Sequence, residues 1–257
     1  MSAQLWDSPA VQVFAGCAIE PVGPDALLEA IERRWIAGET SLRVGHHNLN
    51  SLYRVQHDEE VQRFYSGCVS CYVDGVPVIW LMRLAGLPTS GARRFSLMHS
   101  LPHVLDWLSR SGRSLFYLGG SRQSVARGRI WIGETWPDLR CDLHHGYFDD
   151  DAVLVETINN FSPDLLLVGM GMPRQESWVV RHQDRLQVGA VFQAGGTLDY
   201  YTGLQALPPE ALSRAGLGWL YRLLHDPGRL WRRYLLEPWG LVRPVLRLRR
   251  DIHRASS

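Results

Sequence analysis

Six short apolar runs are spread along the chain: Ser41 to Gly45, Cys68 to Val73, Ser114 to Leu118, Leu139 to His144, Asp164 to Val168 and Val188 to Gln193. Their length suits strands, and the intervals between them are long enough for helices. Apolar runs of this kind are buried on both faces, as strands of a parallel sheet are. The spacing predicts an α/β fold: a Rossmann-like, mostly parallel sheet of about six strands with helices on both faces. Pro24 opens a helix with Leu28, Ile31 and Trp35 on one face, and a further helix is expected near Ser51 to Tyr65. After Gly216 the pattern changes to short helices punctuated by Pro227, Pro238 and Pro244 and dense in Arg and Trp. Residues 1–215 are therefore expected as the α/β domain and 216–257 as an Arg-rich helical C-terminal appendage.

Ligands of such sheets sit beyond the carboxyl ends of the strands. The residues there are polar or glycine-rich: His46-His47-Asn48, Asp74-Gly75, Gly119-Gly120-Ser121, His145-Gly146-Tyr147, Gly169-Met170-Gly171 and Gly195-Gly196-Thr197. Glycine turns bring backbone N–H groups close to a phosphate. In LVGMGMPRQESW, Gly171, Pro173, Arg174 and Gln175 open a helix whose dipole and cation suit a diphosphate. A dinucleotide fingerprint requires glycine where Arg174 stands, which argues against NAD or FAD. Asp74 closes an apolar strand and reads either as a general base at the mouth of the site or as a turn residue. Asp149, Asp150 and Asp151 contain the D-x-D spacing of a cation site, yet they directly precede a helix and read more simply as its N-terminal caps.

The 257 residues carry 27 cations against 26 acids, so no overall field recruits nucleic acid. All 27 are arginine, which removes Schiff-base chemistry and a P-loop lysine. Residues 222–257 hold nine arginines against three acids, leaving 18 against 23 for the rest, so a basic tail joins a mildly acidic body. Within it Leu241, Val245, Leu248 and Ile252 lie about 200° from Arg243, Arg247, Arg250 and Arg254. Such a helix either lies on anionic lipid, with Trp231, Tyr234 and Trp239 as anchors, or packs on the body. No run of roughly 18 to 20 apolar residues crosses a bilayer, and the N-terminus lacks secretory features, so a cytoplasmic, peripheral location is expected. Cys68 and Cys71 form a lone C-x-x-C and read as reduced, partly buried thiols.

Five ordered blocks carry a resemblance: VDG at 73–75, HHGYF at 144–148, MGMPRQESW at 170–178, GGTLDYYTG at 195–203 and LGWLYRLLHDPGRLWRRY at 217–234. Over roughly residues 11 to 237 the chain resembles the WecG/TagA/CpsF family of bacterial glycosyltransferases. The resemblance implies inverting, metal-independent transfer of a hexose-type sugar from a UDP donor to a sugar on a polyprenyl diphosphate carrier, with no cofactor. It is carried out on the inner face of the cytoplasmic membrane.

On the same footing Asp74 matches the family's base, and Asn48 and Gln175 its active-site amides. Arg222, Arg229 and Arg232 match arginines of the appendage, which is thought to close over the site at the membrane. Asp199 matches the aspartate of the nucleotide-side block. His46, Gly119, Gly120, Tyr147, Gly171, Gly196 and Arg93 complete the expected substrate-binding set. Two departures stand out. Many members carry T-x-N where this chain has His46-His47-Asn48, and the R-V-x-G-x-D segment is blurred into Arg93-Arg94-Phe95-Ser96-Leu97-Met98. The HNLNSLY and WRRYLLEPW segments look closer to the branch that builds xanthan-like exopolysaccharide, which favours glucose as the transferred sugar. Alternatives are transfer of N-acetylmannosamine or its uronic acid to a lipid-linked N-acetylglucosamine, metal-dependent transfer through Asp149 and Asp151, and a non-catalytic nucleotide-binding subunit that recruits partners to membrane. Oligomeric state is left open, self-association included.

Overall fold

The computed structural model describes residues 12–14, 17–89 and 93–255. The described residues open with β1 (Gln12–Phe14) and β2 (Cys17–Ile19), then α1 (Pro24–Ile36), β3 (Leu42–His47), α2 (Leu49–Val55), α3 (Glu59–Ser66), β4 (Ser70–Val73), α4 (Val76–Ala85) and α5 (Leu97–Arg110). They continue through β5 (Leu115–Gly119), α6 (Arg122–Thr135), β6 (Cys141–His144), α7 (Asp151–Phe161), β7 (Leu165–Gly169), α8 (Arg174–His182), β8 (Ala190–Gln193) and α9 (Thr197–Tyr201). The last part is helical: α10 (Glu210–Arg214), α11 (Gly218–His225), α12 (Pro227–Leu235), a 3-10 turn at Glu237–Leu241 and α13 (Val242–Ala255).

All six expected strands form, and β3 to β8 pair in one sheet of order β4-β3-β8-β7-β5-β6 in which every pairing is parallel. Alternate side chains divide between two cores. Leu115, Tyr117, Leu165, Leu167 and Phe192 face α1, α5, α6 and α9, whereas Phe116, Leu118, Leu166, Val168 and Val191 face α3, α7 and α8. The antiparallel β1–β2 hairpin was not expected, because strands of three residues are too short to show alternation.

The single helix expected over Ser51 to Tyr65 is two. Asp58 breaks it by accepting hydrogen bonds from the N–H groups of Glu60 and Val61, at 3.1 and 3.2 Å, which starts α3 afresh. Pro102 lies inside α5 and cannot donate to the Met98 carbonyl. The Tyr201 hydroxyl donates to that carbonyl instead, at 2.9 Å, and ties α9 to α5 beside the strand ends.

The appendage shares a third core with the hairpin and α4. Leu241 and Val245 are 1 % and 2 % exposed among Phe14, Ile19, Val78 and Met82, and Leu248 packs against the same cluster. The apolar stripe of α13 thus faces the protein. That overturns the arrangement in which it lies on lipid and leaves Arg243, Arg247, Arg250 and Arg254 exposed on the other side. No helix among the described residues is long and apolar enough to cross a membrane.

If residues beyond 216 are part of the folded core, Leu241→Ala should lower the free energy of unfolding by about 2–5 kcal/mol. Urea denaturation measures it, and an unchanged midpoint would show that the turn leading into α13 detaches freely.

Candidate active site

The carboxyl ends of β3, β4, β7 and β8 enclose a cavity of about 200 Å³, with α11 and α12 completing its wall. Asp74 leaves the end of β4 with its N–H donating to the His47 carbonyl at 3.0 Å, and its side chain lines the cavity. Asn48 follows β3 and caps α2. Its Oδ1 accepts from Ser51 N–H at 3.1 Å, while the Ser51 hydroxyl oxygen accepts from Asn48 N–H at 2.9 Å. The cap takes the side-chain oxygen, so Asn48 offers a ligand its amide NH2 group. His46 is buried, and burial pushes its imidazole down, only partly opposed by Asp74, so the ring is neutral near pH 7. Its neighbour His47 belongs to the core, stacked on Tyr65 at 4.4 Å with burial pushing it down to about 3.

Among the described residues that line the cavity, Asp74 is the sole carboxylate and faces four guanidinium groups, Arg94, Arg222, Arg229 and Arg233. Arg229 is pinned by Asp226, which both caps α12 and accepts from Arg229 Nε at 2.5 Å. For Arg222, burial works against the charge, but Tyr234, Tyr200, Asp74 and Asp226 outweigh it and hold the guanidinium above its ordinary range. Arg233 is the reverse: burial and then repulsion from Arg222 pull it down, with Tyr234, Glu237 and Asp74 too weak to compensate. A cavity with this surplus of positive charge is built to receive an anion with several charged oxygens.

A family model for the glycosyl transferase WecG/TagA/CpsF family matches residues 11–255. The chain belongs to this family. It is 31% identical over 121 residues to N-acetylglucosaminyldiphosphoundecaprenol N-acetyl-beta-D-mannosaminyltransferase of Staphylococcus aureus strains MW2 and NCTC 8325 / PS 47, a match covering 47% of the chain and 48% of each relative. The protein of the same name from strain MRSA252 is 30% identical over the same length. The chain thus spans about half the length of the curated relatives it matches.

The structure brings together Asp74, Asn48, Gln175, Arg222, Arg229, His46, Gly171 and Gly196 at the cavity of this WecG/TagA/CpsF family member. Other expected residues fall elsewhere. Arg232 is exposed, its guanidinium 5.9 Å from the centre of the Trp231 ring, and Arg233 takes the place expected for it. Arg93 is exposed, and its neighbour Arg94 lines the cavity while donating to the Ser213 carbonyl at 3.2 Å. Tyr147 is exposed.

Gly119 packs against the Gly169 backbone, and Gly120 and Asp199 meet one another instead. A Cβ on Gly120 would lie 3.6 Å from Asp199 Oδ1, next to the cavity but not among its lining residues. The link is Gln205, which lines the cavity and donates to Asp199 Oδ2 at 3.2 Å. β5 and β6 occupy the far end of the sheet, which is why the turns after them miss the cavity.

Two further expectations about anion binding change. The N–H groups of Gly171 and Gly195 donate to Gln175 Oε1, both at 3.1 Å, so they are not presented to a ligand. Arg174 is exposed and lies over Tyr147 and Phe148. The acidic triplet behaves as a helix start. Asp150 accepts from Ala152 and Val153 N–H, and Asp151 is engaged by Trp178 Nε1 at 2.9 Å and His182 at 3.3 Å.

Sequence reasoning did not place Arg94, Arg233, Tyr72 or Tyr200 at the site, and Tyr234, expected as a lipid anchor, lines the cavity instead. A helix sets residues 229, 232 and 233 within about 100° of one another, so spacing alone leaves Arg232 and Arg233 equivalent. Packing of α12 on the body decides between them. Inorganic pyrophosphate should therefore raise the melting temperature. Arg233→Ala should weaken pyrophosphate binding about 10- to 100-fold, as expected for a charged hydrogen bond, while Arg232→Ala should leave it nearly unchanged. Calorimetry checks the order of the two, and the reverse order would show that the other face of α12 binds the anion.

Proposed function

We propose that the protein transfers a hexose-type sugar from a UDP donor to a sugar carried on a polyprenyl diphosphate, with inversion at the anomeric carbon. The observation that supports this most is the single carboxylate of Asp74 set against four cavity guanidinium groups. Asp74 takes the proton of the acceptor hydroxyl as that oxygen attacks the anomeric carbon, and the bond to the diphosphate breaks on the opposite face. General-base assistance of this type is worth about 10² to 10⁴ in rate. The electron pair of the broken bond goes to the departing diphosphate, whose growing charge meets Arg222, Arg229 and Arg233. Asn48 presents its amide NH2 to the reacting sugars, while Gln175 lines the same space and holds the Gly171 and Gly195 turns beside them.

For the sugar, the activity by which the relatives are named favours N-acetylmannosamine moved onto a lipid-linked N-acetylglucosamine, ahead of the glucose expected from the sequence segments. One observation keeps glucose as a second reading: His46, neutral and buried, lines the cavity where many members carry a hydroxyl. Purified protein should turn over UDP-N-acetylmannosamine in preference to UDP-glucose with the matching lipid acceptor, and the reverse preference selects the exopolysaccharide-type reading. A nucleotide-binding subunit without activity predicts UDP binding and no turnover with either pair.

The acceptor reading implies work at a membrane surface. Leu224, Trp231 and Trp239 on α11, α12 and the following turn are 72%, 44% and 74% exposed, and the arginine face of α13 is exposed as well. Aromatic and aliphatic tips flanked by cations suit an interface with anionic lipid. Since α11 and α12 also wall the cavity, docking them would complete the site and exclude water as substrate arrives.

Two measurements test the reading. Asp74→Asn should lower kcat by at least about 100-fold while UDP still binds, with wild-type turnover persisting in EDTA; full activity in the variant would remove Asp74 as base. Trp239→Ala should weaken binding to anionic liposomes, and added salt should weaken it further, because exposed charges are screened beyond about 8 Å at physiological ionic strength. Salt-independent binding would rule out the arginine face.

A further inference from the structure

Beneath the cavity lies a carboxylate that the proposed transfer chemistry does not use. Glu176, in the first turn of α8, is 0% exposed. Its Oε1 accepts from Gln175 Nε2 at 2.8 Å and also from Gln193 Nε2 at the end of β8. Each amide then holds two further groups through its oxygen. Gln175 Oε1 accepts from Gly171 and Gly195 N–H, and Gln193 Oε1 accepts from His46 N–H at 2.8 Å and from the Tyr65 hydroxyl at 3.2 Å.

We infer that Glu176 is a positioning residue, whose acceptor-only carboxylate fixes which way two buried amides face and so holds the turns after β7 and β8 and the end of β3 in register around the cavity. The logic is one of donors and acceptors. A glutamine amide is close to symmetric in shape and can be reversed, but only one orientation puts its oxygen on main-chain N–H groups. An ionised carboxylate can only accept, so it forces both NH2 groups toward itself and both oxygens toward the turns. Gly171 and Gly195 adopt φ of 81° and 54°, in the left-handed region, and tying both to one amide oxygen fixes two otherwise permissive backbones. His46, Gly171, Gln175 and Gly195 all line the cavity.

The groups facing Glu176 are Arg54 on α2, Tyr65 on α3 and, through Gln193, His46 on β3. Burial is the largest influence on Glu176 and pushes it up to about 7, against hydrogen bonds from Gln175 and Gln193 and the attraction of Arg54. Burial holds Tyr65 well above its ordinary range and His46 below its own, so both stay neutral around pH 7. Glu176 is the member of this set that changes charge there. The sign for stability follows: the folded state keeps the proton that the unfolded chain releases near 4.5, so stability is full below that value and declines as pH rises toward about 7. The ionised form that best orders the amides is thus the less stable one, a tension common at active sites.

The inference rests on the transferase reading, and the test keeps the two apart. Wild type, Glu176→Gln and Glu176→Ala are assayed from pH 5.5 to 8.5 with the UDP-sugar and lipid acceptor, and the side-chain amide resonances of Gln175 and Gln193 are followed by NMR over the same range. In the wild type both amide signals should shift with a midpoint near 7, and kcat should fall as pH drops through it while the donor KM holds. Glu176→Gln, a neutral acceptor of the same shape, should keep the fold and flatten both profiles. Glu176→Ala should lose about 10- to 100-fold in kcat, the usual scale for supports one layer behind reacting groups. Amide signals that ignore pH in the wild type, a limb near 7 that survives in Glu176→Gln, or wild-type kcat in Glu176→Ala would each overturn the role. Absence of turnover in the wild type would instead sink the transferase reading, and the amide titration would then decide the role of Glu176.

Discussion

A parallel sheet buried on both faces must deliver every strand's carboxyl end to the same edge. This chain obeys that constraint with six strands, and its chemistry is gathered there. Which turns meet is decided by strand order. Placing β8 between β3 and β7 brings Asn48, Asp74, Gln175 and Gly196 around one space although they are up to 148 positions apart in the chain. The same order carries the turns after β5 and β6 away from it. Gln193, the last residue of β8, sits at the centre of this half and ties β3 to α8 through its amide.

Charge is the second organising feature. One carboxylate among several guanidinium groups is an uneven population, and burial makes it more so. Arg222 is held charged by surrounding tyrosines and acids, whereas Arg233 is under repulsion that a bound anion would relieve. An environment of this kind favours a transition state that expels a diphosphate, because the stabilising charges are fixed in place before the bond breaks. α12, which supplies Arg229 and Arg233, also contributes Leu230 to the buried interior, so these cavity cations are anchored to the body. The exposed tryptophans and leucines of the same segment give it an outward surface with a separate use.

Much of this was legible in the chain. Continuous apolar runs such as LFYLG and LLLVG leave little choice but strands covered on both faces, and Pro24, Asp150 and Pro227 mark helix starts by their own local chemistry. Asp74 and Asn48 were found because they immediately follow strands, where position alone implies a cavity. Arg233 and Arg94 were not, since each stands beside another arginine and only the rotation of the element selects one of the pair. Glu176 escaped for a different reason: a glutamate in a helix's first turn reads as a surface residue favouring the dipole, and nothing local betrays that it is fully buried.

Taken alone, the sequence determined the layered α/β class, the six strands, the polar turns at their ends and the arginine-rich helical tail. These depend on periodicity, proline and glycine placement and capping, all interactions between residues a few positions apart. Tertiary structure alone decided the strand order, the inward turn of the α13 apolar stripe, the choice of Arg233 over Arg232 and the pairing of two glutamines on one carboxylate. Each of those is a contact between segments distant in sequence, fixed by which apolar faces can be buried together and which buried polar atoms must find partners.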